Sequence, residues 1–255
     1  MKNVSLVTAI MCMAVLAFSQ EYKITPGANK TLKISEVNKV DIEAYDGNEI
    51  IFTLGSGSHN RPERAEGLQA IGSMGLTDNS GIGLSVREEG DEIIVQPMTK
   101  RSGGRFVIKV PKNVNIFYEH SSSYGGTFNA KNVSSELEVS TNHSGINLTN
   151  VTGPMTINTV HGKIEIDFST VNQSNPISIV SVHGLIDVSM PASTKAKIRM
   201  SSGWGELYTD MKIDFDQSEE ELRTKSTRVS GTLNGGGVVI DLSSSHGNIY
   251  LRNAK

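Results

Sequence analysis

Between residues 137 and 251 the chain repeats one pattern of apolar and polar positions five times. The pattern reads apolar-x-apolar-x-Ser/Thr-x-His/Trp-Gly-x-apolar-x-apolar, and the pivot glycine is replaced only in the first copy, by Ser144. Alternation with a period of two residues is typical of strands and excludes a helix. Each copy therefore predicts two short strands with a corner at the pivot. The copies are LEVSTNHSGINL (137–148), MTINTVHGKIEI (155–166), ISIVSVHGLIDV (177–188), IRMSSGWGELYT (198–209) and IDLSSSHGNIYL (240–251).

The spacing of the pivots predicts how these strands assemble. Successive pivots, at residues 144, 162, 184, 205 and 247, are 18, 22, 21 and 42 residues apart. Units of about 20 residues are too short to bury their own apolar face, so we expect them to stack on one another. We therefore predict an all-β fold, a parallel β-solenoid with coils of about 20 residues. The 42-residue interval leaves room for one divergent coil, and glycine at each corner suggests a positive φ angle.

Stacked coils would place equivalent residues in columns about 4.8 Å apart. The serine and threonine column is expected to satisfy backbone groups at the corner. The next column contains four histidines and Trp204. If the alternation of the strand continues as far as the pivot, these side chains point toward the core. Parallel rings favour stacking over the converging ligands of a metal site, so we expect a structural column and no metal. The histidines are His143, His161, His183 and His246, and the hydroxyl residues are Thr141, Thr159, Ser181, Ser202 and Ser244.

A third column, three residues after each pivot, faces outward and supplies the candidate ligand-binding residues. Glu165 and Asp187, on successive copies, would lie about 5 Å apart, near the carboxylate separation of retaining glycosidases. The same pair could hold a calcium ion, while the default for charges along a strand is a solvated surface. Tyr208, Tyr250 and Trp204 could offer aromatic rings to a sugar. Because a flat face excludes no water, we predict no catalytic residue.

The first 19 residues have the pattern of a secretory signal peptide. Lys2 supplies the positive start, residues 4–18 form an apolar run, and cleavage is expected near Ser19. The one cysteine, Cys12, lies inside this run, so the mature chain would have no disulfide. No later stretch has the length of a membrane span. These features predict a secreted, periplasmic or cell-surface protein.

After the signal peptide, we expect residues 20–110 to form a less regular N-terminal β cap with hairpins. This cap should be continuous with solenoid repeats over residues 111–255.

The net charge and the absence of known motifs narrow the possible functions. The 255-residue chain has a net charge of −3, which predicts no binding to nucleic acid and no electrostatic attachment to a membrane. The sequence has no phosphate loop and no Cys-x-x-Cys, His-Glu-x-x-His or Gly-x-Ser-x-Gly motif. We therefore expect no cofactor.

Several segments carry a resemblance to a known family. They are the opening KVDIEAYDGNEIIF (39–52), the repeated His-Gly-x-Ile units and the ending LNGGGVVIDLSSSHGNIYLRN (233–253). With these features the chain, over about residues 30–253, resembles the bacterial putative-adhesin family of envelope β-solenoid proteins. The resemblance implies a parallel β-helix-like fold and a surface or periplasmic location, and it brings no catalytic motif.

The function expected from these observations is that of a non-enzymatic, secreted or envelope, adhesin-like protein. Its flat polar face would contact a polymer, such as an envelope glycan, or a surface protein. The alternative is a β-helix carbohydrate-active enzyme, a polysaccharide lyase or hydrolase, which is an analogy of fold alone. Glu165→Gln or Asp187→Asn should abolish turnover by such an enzyme, but should leave a binding protein folded and functional.

Overall fold

The computed structural model describes residues 21–56, 62–72, 75–99, 104–216 and 227–254. The expected signal peptide, residues 1–19, lies outside the described residues. No helix in the described part of the chain has the length and apolar composition of a membrane span. A short 3-10 helix occupies Glu63–Ala65. The strands are β1 (Glu21–Ile24), β2 (Thr31–Ser35), β3 (Val40–Tyr45), β4 (Ile50–Ser56), β5 (Leu84–Glu89), β6 (Glu92–Pro97), β7 (Arg105–Pro111), β8 (Asn115–His120), β9 (Phe128–Lys131), β10 (Leu137–Thr141), β11 (Ile146–Val151), β12 (Met155–Thr159), β13 (Ile164–Phe168), β14 (Ile177–Ser181), β15 (Ile186–Met190), β16 (Ala196–Ser202), β17 (Leu207–Thr209), β18 (Asp214–Phe215), β19 (Thr227–Leu233), β20 (Val238–Ser244) and β21 (Ile249–Asn253).

These strands form two sheets that enclose one apolar core. The ten-stranded sheet has the order β1-β4-β7-β3-β9-β11-β13-β15-β21-β17, and the eleven-stranded sheet has the order β18-β19-β16-β20-β14-β12-β10-β8-β2-β6-β5. In every repeat copy, the strand before the pivot lies in the eleven-stranded sheet and the strand after it lies in the ten-stranded sheet. The chain thus winds from one sheet to the other at each pivot, which confirms the predicted all-β parallel β-solenoid.

The repeat copies pair in register, so equivalent apolar residues form continuous rows inside the solenoid. The inward residues at the centre of one such row are at most 1% exposed. Burial of an aliphatic side chain stabilises the fold by about 1.5–3 kcal/mol, so these rows are the main source of stability. The row consists of Val139, Ile157, Ile179, Leu242 and Met200.

The coils do not stack in chain order at the C-terminal end. The last coil, β20 with β21, lies between the coil of β14 with β15 and the coil of β16 with β17. The expectation of a divergent coil in the 42-residue interval was therefore wrong: in its described residues, 206–216 and 227–246, the chain forms β18 and β19, which run antiparallel to their neighbours. A turn with positive φ angles at Asn234 and Gly235 then directs the chain into β20. The Asn234 amide fastens this turn by donating to the carbonyl oxygens of Ala192 and Thr194 at 2.8 Å.

The N-terminal end of the stack has the same interleaved arrangement. The coil of β2 with β3 lies between the coil of β6 with β7 and the coil of β8 with β9. Antiparallel strands flank both ends, β5 beside β6 and β4 beside β7 at one end, and β19 beside β16 at the other. Such strands protect a parallel array from further edge pairing. The division at residue 110 into cap and repeats stays a prediction, while strands from both parts lie in the same two sheets.

Glycine at the pivots is required by the close approach of neighbouring coils. A Cβ atom on Gly184 would lie 1.8 Å from the carbonyl oxygen of Gly162, and a Cβ atom on Gly247 would lie 2.0 Å from the carbonyl oxygen of Gly184. The expected positive φ angle was wrong, since neither these glycines nor the pivot Gly205 has one. The pivot therefore excludes a side chain because of contact between coils and not because of its own backbone conformation.

Candidate functional site

The hydroxyl column satisfies the backbone at each corner, as predicted. Ser181 Oγ accepts a hydrogen bond from the Gly184 N–H at 2.9 Å, and Ser244 Oγ accepts one from the Gly247 N–H at 2.8 Å. In the first copy, where the pivot is not glycine, Thr141 Oγ1 donates to the Ser144 carbonyl at 3.0 Å. The buried hydroxyls hold the corners in shape, and this fixes where the residues beside each pivot point.

The histidine column lies on the outside of the corner and not toward the core. All four rings are exposed, so the expected inward orientation was wrong. The reason is local: the first strand of each copy ends at its hydroxyl residue, and the bend that follows reverses the alternation. The rings stack with centroids 4.6–4.8 Å apart in the order His143, His161, His183, His246.

This ladder does not present a ready metal site. The rings stack face to face, so their nitrogen atoms lie side by side and do not converge on one point, as metal ligands must. Within the described residues, no group of three or more His, Cys, Asp or Glu side chains is arranged to hold a metal ion. Trp204 occupies the equivalent corner of the outermost coil and is 79% exposed.

The outward face of the ten-stranded sheet contains the predicted carboxylates and tyrosines in one row. Glu165 on β13 is the register partner of Asp187 on β15, as their positions in successive copies predict. Because the last coil is inserted, Tyr250 is the register partner of Asp187, and Tyr208 follows at the edge of the sheet. The full row runs Asp41, Asn129, Asn147, Glu165, Asp187, Tyr250, Tyr208.

Both candidate carboxylates are paired with a cation. Lys163 Nζ lies 2.8 Å from Glu165 Oε2. Arg252 donates from Nε and Nη2 to the two oxygens of Asp187 at 2.7 and 3.0 Å, which is the bidentate geometry of a strong ion pair. Hydrogen bonding to Asp187 and its negative charge raise the pKa of the Arg252 guanidinium. Two hydrogen bonds from one arginine thus orient the Asp187 carboxylate.

The two tyrosines pack against each other and against Arg252. The rings of Tyr208 and Tyr250 are 5.1 Å apart and within 7° of parallel, and the Arg252 guanidinium lies 5.1 Å from the centre of the Tyr250 ring. Tyr208 donates its hydroxyl hydrogen to the Glu206 carboxylate, and this bond raises the pKa of the tyrosine. Tyr250 therefore has a neighbour on each side, while Tyr208, 44% exposed at the sheet edge, has one ring face turned away from the stack.

A shallow groove of about 480 Å³ lies beside the middle of this row, from Asn147 to Asp187, and does not include the two tyrosines. Its charged lining includes Glu165, Asp187 and Arg252. Sequence reasoning did not identify Lys163 and Arg252 as part of the site. Arg252 could have been found, because it lies two residues after Tyr250 and shares its side of the strand. Trp204 lies at the corner between β16 and β17 and is not part of the row.

The fold and this open face define the class of protein as a two-sheeted β-solenoid with a long, polar, solvent-exposed surface. The Toastrack DUF4097 family matches residues 98–252, which is more than half of the chain. The chain belongs to this family, and the adhesin-like role implied by the earlier resemblance stays a prediction.

A solved structure gives a second comparison. The chain is similar to a protein from Clostridium sporogenes described as a putative cell adhesion protein, with 15% sequence identity and a TM-score of 0.47. The match covers 92% of this chain and 100% of the other. No curated protein matches the chain at a significant level.

Proposed function

We propose that the protein is a non-enzymatic, adhesin-like binding protein that presents the outward face of its ten-stranded sheet to a glycan polymer. One observation carries this proposal: amide, carboxylate and phenol side chains form a single row across seven parallel strands. Neighbouring strands lie about 4.8 Å apart, so the row spans about 29 Å and offers polar groups at regular intervals. A linear polymer can contact many of them at once.

The chemistry of the row suits a sugar chain. Carboxylates and amides accept or donate hydrogen bonds to sugar hydroxyls, and the ion pair with Arg252 keeps Asp187 in a fixed position. Preorganised polar groups lose less side-chain entropy on binding. The outward ring face of Tyr208, at the end of the row, provides an apolar surface for a sugar ring.

The surroundings of the carboxylates favour binding over catalysis. Glu165 and Asp187 each form an ion pair with a basic side chain, so both carboxylates already have a partner on the protein surface. The groove is shallow and open to solvent, and it cannot exclude water from a reacting bond. The enzyme alternative rests on the register pairing of the two carboxylates, and it is tested in the same experiment.

Export belongs to the same proposal. The signal-peptide pattern of residues 1–19 would direct the chain out of the cytoplasm, and the domain would fold where glycan polymers of the cell surface are accessible. Detection of a mature N-terminus near residue 20 in secreted or envelope fractions would support this part, and an uncleaved cytoplasmic protein would contradict it.

The decisive experiment measures binding of residues 20–255 to a panel of glycans and cell-wall polymers, with product analysis of every ligand. We expect saturable binding without turnover, and at least a tenfold weaker affinity for Tyr208→Ala. Tyr124→Ala is the matched control, because Tyr124 is also an exposed tyrosine, 56% against 44%, but lies outside the row. Equal losses in both variants would contradict the proposed surface. Shortened products that disappear in Glu165→Gln and Asp187→Asn would establish the enzyme alternative.

A further inference from the structure

Two arginines on the opposite face of the molecule have no carboxylate partner in the part of the chain that the structure describes. Arg199 on β16 and Arg228 on β19 are exposed on the outward side of the eleven-stranded sheet. Within the described residues, neither has an ion pair or a side-chain hydrogen bond, whereas the other three strand arginines each contact an acid. These three are Arg87 with Glu89, Arg105 with Asp41 and Arg252 with Asp187.

The strand register brings the two arginines together. Strands β16 and β19 are antiparallel, with Arg199 opposite Ser230 and Ser201 opposite Arg228. The two arginines are therefore diagonal neighbours on one face, with Cβ atoms about 7–8 Å apart or less. Long guanidinium side chains at this separation can reach one ligand from two directions. Lys197, two residues before Arg199, also faces outward on β16, but it lies opposite Thr232, away from Arg228.

Small hydroxyl residues leave a depression between the two arginines. A groove of about 520 Å³ is lined by Arg199, Arg228 and four serines, Ser178, Ser201, Ser230 and Ser243. Ser201 Oγ lies 3.2 Å from Ser243 Oγ, so one of these hydroxyls can also donate to a ligand. Asp241, the register partner of Arg199, also lines this groove, and no ion pair joins the two among the described residues. A second acid, Asp216, accepts a hydrogen bond from Ser230.

We propose that Arg199 and Arg228 bind a phosphate group carried by a linear polymer. One arginine can bind a carboxylate through two parallel hydrogen bonds, as the pairing of Asp187 with Arg252 illustrates. A tetrahedral phosphate has oxygens in more directions and can accept from two guanidinium groups and a serine hydroxyl together.

An uncharged row of outward residues on the eleven-stranded sheet can contact the rest of the polymer. From Arg228 an uncharged row runs across the sheet, perpendicular to the strands, through Ser201, Ser243, Val180, Asn158 and Ser140. Neutral units of a polymer can follow this row as far as Ser140, whose next register partner, on β8, is Glu119. This site is independent of the glycan face, because it lies on the other sheet.

The test is titration of the protein with linear polyphosphate at low ionic strength, where screening of surface charges is weak. We expect saturable binding that weakens with salt, a loss of about tenfold in affinity for Arg199→Gln or Arg228→Gln, and about a hundredfold for the double variant. Arg87→Gln is the control, since Arg87 lies on the same sheet but is engaged by Glu89. Thermal unfolding of all variants checks that the outward substitutions leave the fold intact.

The results separate this site from its alternatives. Absence of polyphosphate binding, an equal loss in Arg87→Gln, or unchanged binding in the double variant would overturn the proposal. Equally tight binding of polyglutamate would overturn the preference for phosphate, and tighter binding to phosphatidylglycerol vesicles would assign the site to a membrane surface instead. Tyr208→Ala should keep full polyphosphate binding, so failure of the glycan proposal leaves this result unaffected.

Discussion

Arg252 on the last strand holds Asp187 on β15 through two hydrogen bonds, although the two residues are 65 positions apart in the chain. On the other side of β21, the backbone N–H of Asn253 donates to Asp210 at 2.7 Å. The C-terminal strand is thus fastened to a coil on either side of it. The last coil, β20 with β21, therefore lies inside the stack, and the earlier coil of β16 with β17 lies on its outer side.

The inserted coil predicts where a core substitution is most costly. Leu242, in the last repeat copy, has neighbouring coils on both sides and is fully buried, as is Ile179. We expect Leu242→Ala and Ile179→Ala each to lower the free energy of unfolding by about 2–5 kcal/mol, measured by chemical denaturation. Asp187→Asn, on the outward face, should have a much smaller effect. A cost for Leu242→Ala far below that of Ile179→Ala would indicate a terminal coil and contradict the observed order.

Contact between coils predicts that alanine is not tolerated at a pivot glycine but is tolerated at a glycine that follows a pivot. Gly184→Ala would bring a Cβ atom to 1.8 Å from the Gly162 carbonyl oxygen, so the coils must separate and the protein should be strongly destabilised or fail to fold. Gly145→Ala is the control, because it follows the pivot Ser144 and its Cβ would have no contact shorter than 3.6 Å. We expect its thermal midpoint to stay close to that of the parent. Similar midpoints for both variants would show that coil contact does not select glycine at the pivot.

The sequence was sufficient to predict the parallel coils, because each repeat copy buries the same apolar positions and its length leaves only neighbouring copies to cover them. It was not sufficient to order the coils. The inward row offers similar aliphatic side chains at every level, such as Ile157 and Leu242, so several stacking orders bury them equally well. The segment that connects the fourth copy to the fifth contains β19 and the turn at Asn234, and neither belongs to the repeat.

The candidate surface was predictable for a related reason. Glu165 and Asp187 occupy equivalent positions in successive copies, so their pairing follows from the repeat itself. The residue beside Asp187 on the next strand does not follow from the repeat. Chain order predicts Tyr208 there, but Tyr250 occupies this position. The orientation of the histidines was mispredicted because strand alternation was continued into a bend. No pattern in the repeat could indicate that Arg199 and Arg228 are diagonal neighbours on paired strands, because β19 lies outside the repeat.

Acid should weaken the fold through His120, which is buried at the end of β8. Its Nε2 lies 2.9 Å from Asn38 Oδ1, while Nδ1 has no hydrogen-bond partner among the described residues. Burial lowers the pKa of His120, although the charge of Glu36 partly opposes this. The unfolded chain therefore takes up the proton first as the pH falls below the ordinary value of 6.5. Stability is complete above that value and is lost as the pH falls from it toward the lower pKa of the folded state.

The measurement is the free energy of unfolding between pH 8 and pH 5 for the parent and for His120→Gln. Once the pH is below the pKa of the folded state, each pKa unit by which folding lowers that value reduces the free energy of unfolding by about 1.4 kcal/mol. The difference between the two proteins isolates His120 from the exposed histidine ladder, which both contain. We expect the parent to lose more stability on acidification than the variant. Parallel curves would show that His120 does not couple folding to pH.

The position of Trp204 predicts that it does not take part in glycan binding. It is the single tryptophan of the chain and is 79% exposed at a corner, while Tyr208 lies on the outward face of the sheet. We expect Trp204→Phe to bind a polymer ligand within about twofold of the parent, since residues outside a contact surface contribute little to affinity. Tryptophan emission of the parent should also stay unchanged at saturation, with Tyr208→Ala as the variant that loses binding. A shift of the emission to shorter wavelength on adding polymer would mean that the ligand covers the corner, and the binding surface would then extend around the pivots to the histidine ladder.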